Sequence, residues 1–193
     1  MKRHFLVRHG ETDWNVAGRL QGRTNVPLNR LGRFQAAQVG RVLHQLVGDV
    51  AALAYVSSPL VRAVETMRIL RTTLDLPALE FEQDADLAEI SFGRWEGHTW
   101  PDLRRRFGDD VTARDLDPWN FIPPGGESYV QLAARAEAAL DRLPGDAVVV
   151  THGGVIRALL HVRAGMPAGE AAILPVRQGA IYVLAGGMFK VAD

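Results

Sequence analysis

Three short stretches of the chain carry side chains that could do chemistry on an anion. Arg8-His9-Gly10 lies in LVRHGETDWN, Leu6 to Asn15. Arg62 lies in SSPLVRAVET, Ser57 to Thr66, and His152-Gly153-Gly154 lies in THGGVIRALL, Thr151 to Leu160. Each follows an apolar run that reads as a strand and precedes or opens a helical pattern. Ligands of open α/β sheets bind beyond the carboxyl ends of the strands, so all three junctions can share one edge. A lone histidine after a strand is more often a local hydrogen-bonder than a catalyst. Arg62 is harder to set aside. A cation in the first turn of a helix opposes the macrodipole at a cost of roughly 0.3–1 kcal/mol, and a bound anion removes that cost. The free N–H groups of a helix start favour the same anion. Two arginines, two histidines and two helix starts at one edge describe a phosphate pocket, because the planar guanidinium makes paired, charge-assisted bonds to phosphate oxygens.

The residue inventory narrows the reaction. With no cysteine in the chain, thiolate nucleophiles, disulfides and cysteine-based zinc sites are excluded. The six histidines (His4, His9, His44, His98, His152 and His161) show no HExxH or similar ligand spacing, and cations beside His9 would repel a metal ion. Ser57 and Ser58 are available, but Ser58 reads as a helix cap. Histidine itself remains as nucleophile. A neutral imidazole can take a phosphoryl group on one ring nitrogen and split one hard displacement into two easier ones. Flanking arginines would stabilise the equatorial oxygens of the transition state. The leaving alkoxide needs a proton, so a carboxylic acid should stand nearby. Glu11, Glu89 and Glu96 are candidates, and the residues alone do not separate them.

The elements that must position these groups alternate between short apolar runs and helical patterns, the mark of a mostly parallel sheet with flanking helices. Val39, Val42, Leu43 and Leu46 predict a helix over about Leu31–Val47. A short strand is expected near Ala52–Val56. Ser58-Pro59 then reads as a helix start, serine as N-cap and proline at the first helical position. Tyr129, Leu132, Ala133, Ala136, Leu140 and Leu143 mark a long helix, and Ala147–Val150 is a β-branched run typical of a central strand. Ala180–Leu184 and Met188–Val191 close the chain as strands. The stretch 79–125 is less regular and acidic, holds Trp95, Trp100 and Trp119, and reads as an excursion covering the site. The expectation is one domain over residues 1–193.

Bulk properties fit that reading. A chain of 193 residues, 47% hydrophobic, 23% charged and with zero formal net charge has the composition of a soluble globular protein. It gives no electrostatic reason for nucleic acid or membrane as partner. Residues 1–72 hold 11 Lys/Arg against 4 Asp/Glu, and residues 73–147 hold 7 against 16, so the first third could build a basic pocket on a neutral protein. No run approaches the roughly 20 apolar residues of a membrane helix. The N-terminus lacks the apolar stretch of a signal peptide, which makes the cytoplasm the default location.

Taken together, these segments resemble the histidine phosphatase superfamily, the phosphoglycerate-mutase-like phosphatases. The resemblance is carried in the family's order by LVRHGETDWN, GRLQGRTNVPLNRLGRFQA (Gly18–Ala37), SSPLVRAVET, LAEISFGRWEG (Leu87–Gly97), PPGGES (Pro123–Ser128) and THGGVIRALL. It implies a three-layer α/β/α fold around a mostly parallel sheet, and a phosphohistidine intermediate without metal or other cofactor. It implies His9 as nucleophile, Glu89 as proton donor, and Arg8, Arg62 and His152 as stabilisers of the transferring group. Asn15 and Gly153 would line the pocket, with Gln21 and Gly22 nearer the substrate. Asn25 departs from the aspartate of many relatives and is expected to touch loop structure rather than chemistry. The partner implied is a small-molecule phosphate ester, and a homodimer is compatible with the sequence. Phosphoglycerate mutases carry added sequence between the FGRWEG-like and PPGGES-like blocks. Here Gly97 to Pro123 is compact, which favours a phosphatase. WEGHTWPDL, PPGGES and the segment from Leu159 to Leu184 look similar to α-ribazole phosphatases of cobalamin synthesis, where a tryptophan could stack on the base. A phosphoglycerate mutase and a broad-specificity phosphatase are the alternatives.

Overall fold

The computed structural model describes residues 2–193. In chain order its elements are β1 (Arg3–Arg8), α1 (Asp13–Val16), α2 (Arg30–Leu46), β2 (Ala54–Ser57), α3 (Val61–Thr73), β3 (Glu82–Gln83), α4 (Trp100–Arg106), α5 (Gly108–Leu116), α6 (Tyr129–Asp141), β4 (Ala147–Thr151), α7 (Gly153–Ala164), α8 (Ala168–Ile173), β5 (Ile181–Ala185) and β6 (Met188–Ala192). The helices predicted from apolar spacing form within a residue or two of their expected bounds. α2 buries Ala36, Val39, Val42 and Leu43, and Asn29 caps it by accepting from the Gly32 amide. At the head of α6, Ser128 and Gln131 form a reciprocal capping box.

The six strands lie in the order β3-β2-β4-β1-β5-β6. β3, β2, β4 and β1 run parallel, and β5 and β6 add an antiparallel edge. Every residue of β4 is buried, which fits its β-branched sequence and central place. Side chains alternate between the faces. Phe5, Val7, Val148 and Val150 pack with α2 and α3 on one side. Leu6, Val149 and Val56 pack with α6 and α7 on the other. Each such side chain removed from water is worth roughly 1.5–3 kcal/mol, and both helical layers are held this way. Among the described residues, no helix is long and apolar enough to cross a membrane.

Strand register decides where the chemistry goes. β1 pairs with β4 so that Arg8 stands beside Thr151, and the His9 amide continues the ladder to the Thr151 carbonyl at 2.9 Å. On the other side of β4, the Ser58 amide reaches the Val150 carbonyl at 2.9 Å. The ends of β2, β4 and β1 are therefore three neighbours at one edge of the sheet, and His9, His152 and the approach to Arg62 leave from them.

One expectation fails. Ser58-Pro59 does not open α3. The helix begins at Val61, after Leu60, which makes no side-chain cap. The first amide is served from a distance: Val61 N donates to Asn25 Oδ1 at 3.1 Å. Ser58 does accept from the Leu60 amide at 3.3 Å, but its hydroxyl is also claimed by buried His152, 2.7 Å away. Arg62 stays in the first turn of the helix despite the shift. Asn25 thus ties its own loop to the start of α3.

Candidate active site

His9 is 2% exposed at the end of β1. Its Nδ1 lies 2.7 Å from the Gly10 carbonyl oxygen. A carbonyl only accepts, so Nδ1 carries the proton and Nε2 keeps its lone pair. Arg62 confirms the assignment by donating from Nε to His9 Nε2 at 3.2 Å. Burial pushes the His9 imidazole well below the usual histidine range, and the neighbouring Arg62 and Arg8 charges push it further. The ring is held neutral, its Nε2 lone pair unprotonated and accepting only the Arg62 N–H.

Arg62 is fully buried. Besides His9, it donates from Nη1 to the Thr24 carbonyl at 2.8 Å and from Nη2 to the Gly22 carbonyl at 2.7 Å. Burial lowers its pKa to about 10 against the opposing pull of Glu89 and Glu96, so it remains a cation at neutral pH. Arg8 donates from Nη1 to the Val176 carbonyl at 2.6 Å, while its Nε is buried without a hydrogen-bond partner.

His152 is fully buried, its ring centroid 5.1 Å from that of His9. Ser58 Oγ accepts from the Leu60 amide and lies 2.7 Å from His152 Nε2, where its hydroxyl can donate to a ring lone pair or accept a ring N–H. Nδ1 of His152 is buried without a partner. Burial, followed by the Arg62 charge, holds this imidazole well below the usual range as well. His152 is the N-cap of α7 but makes no capping bond. Arg8 Nε and the start of α7 thus bring donors to the cavity that His9 lines, and a tetrahedral oxyanion would satisfy them.

Glu89 reaches the site from the 79–125 stretch. Its Oε1 accepts from the Gly154 amide at 3.0 Å and from the Ile90 amide at 3.0 Å. Its backbone is braced by Arg135, which donates to the Glu89 and Asp86 carbonyls at 3.1 and 2.6 Å and forms a 2.7 Å ion pair with Glu127. Of the three carboxylates named from sequence, Glu89 lines the cavity that His9 lines. Glu11 instead accepts from Asn29 Nδ2 at 2.9 Å, and Glu96 stands behind the Gly22–Thr24 turn.

That cavity, of about 130 Å³, is lined by Arg8, His9, Asn15, Gln21, Gly22, Arg62, Glu89 and Gly153 among others. Every residue that the family resemblance assigned to the site is at its wall except His152, whose ring centroid lies 5.1 Å from that of His9. Gln21 Oε1 is buried without a partner. Asn15 Oδ1 is engaged with the Thr12 amide at 3.1 Å and Gln178 at 2.9 Å, so Asn15 shapes the loop as well as lining the pocket. Among the described residues, no three His, Asp or Glu side chains cluster as metal ligands.

Sequence reasoning missed Arg157, Arg19, Leu20 and Phe92, all at the same wall. Arg157 carried a readable signal. It follows Gly153 by four residues, on the same helical face, and interrupts an apolar run. Arg157, Leu20 and Phe92 also line an adjoining cavity of about 490 Å³. The larger cavity contains neither histidine. It opens among Ile90, Trp95, Trp100, Phe121 and Tyr129, with Arg104 and Arg114 at its wall. Trp95 itself is core, 1% exposed and stacked on Phe121. Trp119 stacks on Tyr129 instead.

Comparison with known proteins fits this geometry. The pattern of the histidine phosphatase superfamily (branch 1) matches residues 4–187. A metal-independent phosphoserine phosphatase of Arabidopsis thaliana is 37% identical over 176 residues, 86% of this chain and 70% of that protein. The adenosylcobalamin/alpha-ribazole phosphatase of Salmonella typhimurium is 32% identical over 182 residues, 92% of this chain and 87% of that protein. The crystal structure of the alpha-ribazole phosphatase from Shigella flexneri superposes with a TM-score of 0.81 at 28% identity, covering 98% of this chain and 94% of that one. With this match over nearly its whole length, the chain belongs to the histidine phosphatase superfamily, branch 1.

Proposed function

We propose that the protein is a metal-independent phosphatase that hydrolyses a small-molecule phosphomonoester through a phospho-His9 intermediate. The enzyme class, a phosphatase hydrolase, is that of its family and phosphatase relatives. The observation that carries the mechanism is the state of His9: a buried, neutral ring with Nδ1–H fixed on Gly10 and the Nε2 lone pair turned toward Arg62. In the first step Nε2 attacks phosphorus and the P–O ester bond breaks. Arg8, Arg62 and His152 bind the equatorial oxygens, where developing charge is worth most to stabilise. Glu89, in its acid form, gives its proton to the leaving alkoxide. In the second step water attacks phosphorus, Glu89 takes a proton from it, and the P–N bond breaks to return neutral His9.

The alcohol of the ester would lie in the larger cavity. Its aromatic wall suits a substrate with a flat body, since aromatic faces stack well on planar groups. That supports α-ribazole 5′-phosphate, in line with the Salmonella and Shigella relatives. The experiment is phosphate release from a panel containing α-ribazole 5′-phosphate, phosphoserine, phosphoglycerates, nucleotides and sugar phosphates, with chelator present throughout. Expected are chelator-resistant turnover, an acid-labile phosphoryl label on His9, and loss of both in His9→Ala. Turnover abolished by chelator, or an active His9→Ala, would refute the mechanism. Isomerisation of 3-phosphoglycerate without phosphate release would make the protein a mutase.

A further inference from the structure

Glu96 does not enter the chemistry above, yet it makes more hydrogen bonds than a loop carboxylate needs. Its Oε1 accepts from the Arg23 amide at 3.0 Å and the Phe92 amide at 3.3 Å, and its Oε2 accepts from Thr24 Oγ1 at 2.8 Å. One carboxylate therefore ties the turn at residues 22–24 to the stretch carrying Phe92. The approach is close. Gly22 has φ +50°, and a Cβ there would fall 2.0 Å from Glu96 Oε1, so the turn admits the carboxylate only because residue 22 is glycine. The same turn does a second job. Its Gly22 and Thr24 carbonyls receive Nη2 and Nη1 of Arg62 at 2.7 and 2.8 Å. Those two bonds fix the guanidinium plane, and with it the Nε–H that meets His9 Nε2.

We infer that Glu96 is a positioning residue for catalysis: it braces the Gly22–Thr24 turn so that the turn's carbonyls hold Arg62 in register with His9. The inference rests on the reading of Arg62 and His9 given above. Glu96 touches neither substrate nor the reacting atoms. Its negative charge also stands close enough to help keep buried Arg62 protonated. Without the brace the turn loses its ties to Oε1 and Oε2 together. The carbonyls then drift, and the guanidinium drifts with them. Misplacement of a positioning group by about 1 Å can cost on the order of 10²-fold in rate.

The test is a double-mutant cycle on turnover of p-nitrophenyl phosphate, with thermal melting to verify folding. Glu96→Ala is expected to lower kcat by on the order of 10²-fold. In an Arg62→Ala background the same change should add less than about 2-fold, because the group it positions is gone. Glu96→Gln should recover most of the activity. Its carboxamide oxygen can accept from both amides that now share Oε1, and the Thr24 hydroxyl can turn to accept from its NH2. Thr24→Val, which removes only the Oε2 partner, gives a milder version of the same non-additive loss and serves if Glu96→Ala fails to fold. Full activity in Glu96→Ala, or an equal loss in both backgrounds, would overturn the inference. If Arg62→Ala itself kept full activity, the catalytic reading of Arg62 would fall instead, and the two failures are told apart by that single control.

Discussion

Two buried neutral histidines give the folded protein a specific weakness to acid. His9 and His152 both have native pKa values well below the ordinary histidine value, chiefly through burial and then through neighbouring cations. As pH falls below about 6.5, the unfolded chain takes up a proton on each imidazole while the folded protein does not. Stability is therefore fully present above the unfolded pKa and drains away as pH drops toward the native values. One proton of difference is a slope of about 1.4 kcal/mol per pH unit, so the pair gives roughly 3 kcal/mol per unit once the unfolded imidazoles are charged. Against a total of about 5–15 kcal/mol for an ordinary domain, one pH unit is a large fraction. Urea unfolding measured between pH 7 and pH 5 reads this directly, and most carboxylates titrate below that window. His4, whose pKa is also lowered by burial and by Arg163, adds loss of the same sign but is common to every variant. His9→Gln and His152→Gln should each flatten the slope by about one proton's worth. A wild-type slope near zero between pH 6 and pH 5, or slopes unchanged in both variants, would refute the assignment of two neutral buried rings.

Three further outcomes are expected. Glu89→Gln should slow esters with poor leaving groups by roughly 10²–10⁴-fold while sparing p-nitrophenyl phosphate, whose leaving group scarcely needs a proton; equal loss on both would remove Glu89 as the donor. Arg135→Ala should cost about 1.5–3 kcal/mol by removing a charge-assisted pair and leaving Glu127 only the Ser91 amide and distant Arg23, and the surviving activity should show the same leaving-group dependence, because Arg135 carries the Glu89 backbone. Gly10→Ala should lower the melting temperature, since the new Cβ would fall 2.2 Å from the Gly32 carbonyl and such overpacking costs about 1–3 kcal/mol; an unchanged melt would show that β1 and α2 can separate at that point.

What the sequence made legible follows from the range over which each signal acts. Strand ends and helix faces are local: apolar spacing placed α2, α6 and β4, and the rule for parallel strands put His9, Arg62 and His152 at one edge. Glu89 could not be separated from Glu11 and Glu96 by spacing alone, because all three lie in loops near helix starts or turns. The choice depends on which loop folds over the edge, a tertiary fact held by Arg135 from α6, 46 residues along the chain. The Ser58 misreading has the same origin. Serine before proline is a good local cap, but the pull of buried His152 on the hydroxyl is long-range, and Asn25 takes over the first amide of α3. Arg157 was within reach, since a cation four residues after a pocket glycine on a helix must face the same way.

The pocket's cations are held by a particular kind of partner. Most arginines that bond a side chain in this protein pair with carboxylates, as Arg3, Arg33, Arg142 and Arg177 do. Among the described residues, Arg8, Arg62 and Arg157 make no such pair. They donate to the carbonyls of Val176, of Gly22 and Thr24, and of Leu174. A carboxylate within hydrogen-bond reach would cancel most of the field that a phosphoryl group is to feel. A carbonyl dipole instead fixes the direction of the guanidinium and offsets part of its desolvation while leaving the net charge in place. Glu89 and Glu96 sit one step back, near enough to steady Arg62 and not bonded to it. The arrangement leaves a buried positive field uncancelled, as the proposed mechanism requires of a site for a dianion, and burial together with that field keeps the imidazole of His9 unprotonated.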